Sequence, residues 1–467
     1  MSLRRFAALA LLLPAAPALA GSISTSGYLA GTDSGPATAD PVAIVFNPAA
    51  IGAVDGIDAM IDVQANFIHV DATTTRNGGI DPNTGEAYDV AGADAMVPNA
   101  FIGLVGEVWK NKVNLGLGVN LPFVGGGDYS GSEDSPPPYT SHQRYAGITV
   151  KVITIAVTPA IAITPVEGVH LGGSFSYVMD SISALQASDP LGTEGYNKGT
   201  GPYSTDSLLT AEASGSHLAW GAGIFIDKVP KAQVGVSYAA GSTFTTEGTG
   251  SVYMPSLFGQ PEATFDALTG FEQPLPPILR AGLSSTLSEK VEVGAIWEYQ
   301  MWAKCCGGPD GDLVITVTDL DGAALVSPIG TEVATTQYSP RRLENSSNFS
   351  GYGGFRPMDK MYLGAKVGYQ QNAVPDFAVS ATNLDFQSVG TMVAARYKVA
   401  GPLELGLSYT RFFLFERTIT NSAWGVAEGE ADYVDDRFSP VLPYKANTNG
   451  TYSGRDNVIG LRLSMDM

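Results

Sequence analysis

The chain is short of charge and almost without cysteine. Only 15% of its 467 residues are Asp, Glu, Lys or Arg, where a soluble domain carries about a quarter. So little charge argues against a domain wetted on every side. The two cysteines, Cys305 and Cys306, are adjacent, a spacing that allows only a vicinal bridge and excludes a disulfide framework. Apart from the N-terminus, no stretch offers about 18 consecutive apolar residues, so no transmembrane helix is encoded. Basic residues are scarce as well: 26 Lys and Arg against 46 Asp and Glu leave a net charge of −20. That excludes the basic stripe a nucleic-acid partner needs. The four histidines (His69, His142, His170 and His217) show no metal-ligand spacing, and no Gly-x-Ser-x-Gly nucleophile motif stands at a strand-to-helix turn. Neither a metal, a cofactor nor an enzyme activity is expected.

What is present is apolar residues (44%) and glycine (55 residues). The first twenty residues read as a signal peptide. Arg4-Arg5 precede a short apolar run, Phe6 to Leu13, and Ala18-Leu19-Ala20 supplies a cleavage site near Ala20.

From residue 58 to 467, runs of alternating apolar and polar residues are joined by links of two alternating lengths. Tight links lie near 108–111, 164–167, 228–231, 288–290, 357–359 and 399–402. Long ones fill 71–97, 123–143, 180–213, 247–273, 305–341, 371–383 and 416–451. In Val113-Asn114-Leu115-Gly116-Leu117-Gly118-Val119 the odd positions are bulky, and Ile459-Gly460-Leu461-Arg462-Leu463-Ser464-Met465 repeats the pattern. Fourteen such segments, many of ten or more residues, fit tilted strands that cross a bilayer. Short turns at one end and long loops at the other are the pattern of a bacterial outer-membrane barrel. The expected fold is therefore all-β: a 14-stranded antiparallel transmembrane β-barrel over 58–467. Two stretches, 99–107 and 150–163, are apolar on both faces, and the second carries Pro159. A bulge, or packing against something inside the barrel, would explain both. Met467 stands where such barrels usually end in Phe.

Residues 21–57 lack the rhythm. They are small, moderately apolar and rich in turn formers, and about fourteen strands enclose a lumen too wide for side chains to fill. This segment is expected to be a hatch that plugs the barrel.

The residues Asp40-Pro41-Val42-Ala43-Ile44-Val45-Phe46-Asn47-Pro48-Ala49 resemble the hatch motif of the FadL-type transporters of long-chain fatty acids and other hydrophobic compounds. Tyr369 to Phe377 with Asp385-Phe386, and Pro276 to Gly282 followed by Val293 to Trp302, are similar to later stretches of that family. The resemblance implies a monomeric outer-membrane importer whose partners are a hydrophobic ligand and outer-membrane lipid. It implies that Phe46, Asn47, Pro48 and Ala49 form the hatch core. It also implies ligand capture in external loops and sideways release through a kink in the third strand. Gly116, Gly118 and Pro122 are candidates for that kink, although Gly116 and Gly118 equally suit a role in making room for the hatch. Leu208, Leu209, Met254, Leu257, Phe258 and Phe265 are candidates for the capture groove. Strand parity turns Arg280, Lys366 and Arg396 inward, to receive a ligand carboxylate or to fix the hatch in an ion-pair network. The alternative for the same barrel is a water-filled porin for small polar solutes, with a charged constriction and no apolar plug.

Overall fold

The computed structural model describes residues 31–74, 91–128, 147–188, 196–197, 201–202, 207–254, 262–319, 335–380, 383–423 and 448–467. The signal peptide and its cleavage point lie outside these residues, as do Leu257 and Phe258.

β1 (Ile57–Thr74) and β2 (Ala91–Trp109) form the first hairpin. The third stave is split into β3 (Val113–Asn120) and β4 (Val124–Asp128), both paired with β5 (Thr149–Val166). β6 (Val169–Ser188) follows, then β7 (Tyr196–Asn197) and β8 (Gly201–Pro202), which pair only with each other. β9 (Ser207–Val229) is the sixth stave. β10 (Ala232–Ala239) with β11 (Ser242–Met254) makes the seventh, and β12 (Ala263–Leu275) with β13 (Ile278–Ser288) the eighth. Next come β14 (Val291–Gln300) and a rim hairpin of β15 (Leu313–Thr318) and β16 (Thr335–Ser339). β17 (Ser346–Met358), β18 (Met361–Gln370), β19 (Ser388–Ala400) and β20 (Leu403–Leu414) continue the wall. The short β21 (Arg417–Ile419) pairs with the last strand, β22 (Gly450–Asp466). The result is a closed antiparallel barrel of 14 staves, as the period-two pattern predicts.

The faces separate a membrane barrel from a β-sandwich. In β3 Leu115 and Leu117 are 46% and 50% exposed, while Asn114 is buried and donates to the Val54 carbonyl at 2.7 Å. The bulky face therefore points outward, where it meets lipid, and the polar and glycine face lines the lumen. The tight turns gather at one end with residues in left-handed backbone, Asn111 (φ 54°), Gly168 (φ 77°), Lys231 (φ 61°) and Gly401 (φ 54°). β1 and β22 close the seam from Asp58–Asp466 to Thr74–Gly450. Met467 seals its end, exchanging backbone hydrogen bonds of 2.9 and 2.8 Å with Ile57.

Two expectations need correction. The stretch 247–273, expected as a loop, is mostly strand. β11 and β12 pair from Ser242–Leu275 to Met254–Ala263, and the upper half of β9 pairs with β11. The segment is rich in Thr, Ser and Gly because it rises past the apolar band, so it lacks the bulky outward face that marks a membrane strand. The strand expected over 291–304 ends at Gln300. A short helix, α1 (Trp302–Cys306), follows, because Asn345 takes the Ala303 amide and Met301 the Lys304 amide. Its two cysteine sulfurs are joined, 2.24 Å apart. The apolar inner face of β5 does pack inside the barrel, as expected: Ala160 and Ala162 lie against Ile44, Ala49 and Ile51. At Thr158 and Pro159 the β5–β6 ladder is interrupted.

Candidate functional site

Residues 31–56 run inside the barrel and touch nearly its whole circumference. Asp40 accepts from the Val42 amide (3.0 Å) and starts a helical turn at Ala43–Phe46, followed by a 3-10 turn at Ala50–Ala53. Val42 and Phe46 pack on Met60 and Phe101, while Ile44, Ala49 and Ile51 pack on Val105, Ala160 and Phe225.

Asn47 is the pin. It is fully buried, its Nδ2 donates to the carbonyls of Pro36 (2.8 Å) and Ile224 (3.1 Å), and its Oδ1 accepts from the Ala49 amide (3.2 Å). Ser237 Oγ donates to the Phe46 carbonyl at 2.5 Å. The wall makes room for the hatch with three further glycines. A Cβ on Gly172 would stand 2.3 Å from the Ala49 nitrogen, one on Gly223 2.0 Å from Asn47 Oδ1, and one on Gly235 1.7 Å from the Pro36 carbonyl oxygen. Their only signal is position, since each falls on the lumen parity of its strand.

The three predicted inward cations all face the lumen, and each has an oxygen partner. Arg280 Nε pairs with Glu298 at 2.6 Å and its guanidinium lies 5.9 Å from the Phe46 ring. Arg396 pairs with Asp33 at 2.8 Å and lies 3.9 Å over the Tyr362 ring. Lys366 Nζ donates to the Ser34 carbonyl at 3.4 Å. Arg462 adds a fourth contact, 3.4 Å from Asp40. These pairs tie residues 33–40 to β18, β19 and β22. Burial pushes the Asp40 carboxyl up to about 6 despite Arg462. Burial works in the same direction on Asp33, but the charges of Arg396 and Arg462 outweigh it and hold that carboxyl below its usual range. A cavity of about 40 Å³ beside the hatch, bordered by Phe46, Arg280, Ile296 and Lys366, has room for water but not for a long ligand.

Above the hatch the mouth is apolar. One buried cluster joins Val150, Val152, Ile182, Leu209, Phe244, Val252 and Phe271 on the risen strands. Another joins Ile68, Val70, Val97, Leu343, Phe386 and Tyr452, with the segment 373–386 laid over it. That segment is anchored by Asp385, which accepts from the amides of Ala373 (2.5 Å) and Val374 (3.2 Å) and from Arg417 (3.1 Å). Burial raises the Asp385 carboxyl to about 7 against those partners. Of the groove candidates, Leu209 and Phe265 are buried, Leu208 is half-buried, and Met254 ends β11. All four belong to strands rather than loops.

The third stave breaks at Leu121, Pro122 and Phe123, where Thr154 Oγ1 takes over the Phe123 amide at 2.8 Å. Pro122 therefore stands in the break. Gly116 and Gly118 stand in the regular ladder, facing Ile44, where a Cβ would approach to 2.9 and 3.1 Å. The ladder between β2 and this stave ends at Leu121 N–H to Ala100 O, 3.2 Å. Two residues earlier on the same edge, Pro98 has no N–H to offer. From there to Ala91, β2 and β4 exchange no ladder bond among the described residues. The wall has a seam that is not stitched, flanked inside by Val97 and Val124.

A family profile described as outer membrane protein transport protein (OMPP1/FadL/TodX) matches residues 7–304. The chain belongs to this family. It is an outer-membrane β-barrel of the transport proteins for hydrophobic compounds, whose members are channels rather than enzymes. Its fold is similar to that of a FadL homologue from Pseudomonas aeruginosa, with a TM-score of 0.69, 16% identity, and 96% of this chain and 99% of that one covered. It is likewise similar to the toluene transporters TodX of Pseudomonas putida (TM-score 0.63, 12% identity, 97% and 98% covered) and TbuX of Ralstonia pickettii (TM-score 0.61, 14% identity, 97% and 98% covered). No curated protein sequence matches the chain. Among the described residues no three His, Cys, Asp or Glu side chains come together as a metal site.

Proposed function

We propose that this family member carries a small hydrophobic compound from the external mouth into the outer membrane, releasing it sideways through the unstitched seam. The observation that carries this reading is the end of the β2–β3 ladder at Ala100, with Pro98 and Pro122 on its two sides. Bilayer-facing backbone normally closes every hydrogen bond, so an open seam needs a reason, and passage of an apolar molecule is one. The apolar clusters of the mouth suit the first capture step. The hatch suits a plug: the pairs of Asp33 and Asp40 and the Asn47 pin close the straight path. This favours a transporter over an open porin. We assign residues 1–20 to a signal peptide cleaved near Ala20, 21–57 to the hatch, and action as a monomer.

A bulky plug in the seam tests the reading. Cells carrying Val124→Trp should lose most uptake of a hydrophobic substrate, with barrel assembly intact by heat-modifiable gel mobility. Leu461→Trp, on the lipid face, should transport normally. Full uptake in the Val124→Trp cells would sink lateral release.

A further inference from the structure

Between the hatch and the mouth, the inner wall carries a polar point in an apolar setting. Asp456 on β22 is 0% exposed and neither carboxylate oxygen has a hydrogen-bond partner. It lies opposite Ile68 and Phe412 in the two ladders that flank it. Asn66, diagonal to it on β1, is 1% exposed with its Oδ1 also unpartnered. Met392, Phe412 and Val458 form the buried apolar cluster around this part of the wall. Asp456 lies six residues from Arg462, the hatch anchor, about 20 Å along the strand towards the mouth. It therefore stands on the route from capture to plug.

A buried carboxylate without a donor is costly, and one donated hydrogen bond recovers much of that cost. A ligand carboxylate placed here would meet like charge on Asp456, and the nearby Arg411 of β20 is already bonded to Asn457 at 2.7 Å. The lumen cations deeper down offer it little, since Arg280, Arg396 and Arg462 already face carboxylates of the chain and Lys366 donates to the Ser34 carbonyl. Resting on the transport reading above, we propose that Asp456 and Asn66 form a recognition point for a hydrophobic ligand carrying an uncharged hydrogen-bond donor, a hydroxyl, and that this wall disfavours hydrophobic carboxylates.

Toluene, p-cresol and p-toluate share one ring and differ in the group offered, so their binding to the purified full-length protein in detergent, by equilibrium dialysis, tests this. The wild type should hold p-cresol about tenfold more tightly than toluene, as one hydrogen bond to a charged acceptor implies, and p-toluate most weakly. Asp456→Leu should remove the preference for p-cresol while toluene binding stays. Asp456→Asn, which keeps an acceptor and the shape, should retain part of it and guards against a folding defect in the first variant. Equal binding of p-toluate and p-cresol, or an unchanged p-cresol to toluene ratio in Asp456→Leu, overturns the proposal and leaves the transport reading standing. Binding of none of the three by the wild type overturns both.

Discussion

Asn47 donates a hydrogen bond to the carbonyl of Ile224, 177 residues further along the chain, at 3.1 Å. That bond fastens the N-terminal segment to β9 near its tight-turn end, and with the bond to Pro36 it satisfies both protons of a fully buried amide. Asn47→Ala removes both bonds and leaves the buried Pro36 carbonyl without this donor, at about 1–3 kcal/mol in desolvation. The expected outcome is a hatch that opens more often. In planar bilayers the variant should show larger and more frequent conductance steps than the wild type, with barrel stability nearly unchanged.

The glycine socket makes a sharper demand. A methyl on Gly223 would sit 2.0 Å from Asn47 Oδ1, and one on Gly172 2.3 Å from the Ala49 backbone nitrogen. Neither neighbour can yield without moving the hatch. Gly223→Ala and Gly172→Ala should therefore reproduce the leak of Asn47→Ala. Gly401→Ala, in a tight turn with open space around it, should not leak, although its φ of 54° costs it some stability.

The fold was largely readable in the chain, and for a physical reason. A strand between lipid and lumen must alternate, so Leu115, Leu117, Leu461 and Leu463 announce it. The hatch was readable as the one apolar stretch without that period. Residues 247–254 were not, because above the bilayer their outward face is Glu247, Thr249 and Ser251 and reads as a loop. Gly172, Gly223 and Gly235 look like any lumen glycine until the partner is seen in place. Pro98 could have been found from sequence, since a proline inside a central strand marks an edge with no ladder to complete.

Arg396 and Asp33 form a buried pair, 2.8 Å apart, between wall and hatch. Removing one partner strands the other charge, at roughly 3–5 kcal/mol. Asp33→Asn and Arg396→Gln should each speed amide exchange in residues 33–53, and the double variant should exchange more slowly than their summed effects predict. Additive effects would show that the pair does not hold the hatch.

Acid should act on the hatch in two opposite ways. Asp40 has its carboxyl raised from 3.8 to about 6, so the docked hatch binds more protons than the undocked one between those values. Docking then strengthens as pH falls from about 7 to 4, by a total on the order of 3 kcal/mol. Asp33, held below its usual range by Arg396, contributes stability that is lost as pH falls below about 4. Hatch exchange measured from pH 8 to 3 should pass through a minimum near pH 4 to 5. In Asp40→Asn the decline between pH 7 and 4 should flatten, leaving any slope that comes from Asp385 at the mouth, raised to about 7.

The central claim is that cargo leaves through the wall between β2 and the broken third stave. A hydrophobic photoreactive probe, such as a diazirine-bearing alkane, flashed during uptake and mapped by mass spectrometry tests it most directly. The account predicts label on residues 95–101 and 121–124, lost on competition with unlabelled hydrophobic substrate. Competable label confined to residues 50–56 and the tight-turn end would mean exit along the barrel axis and would contradict it.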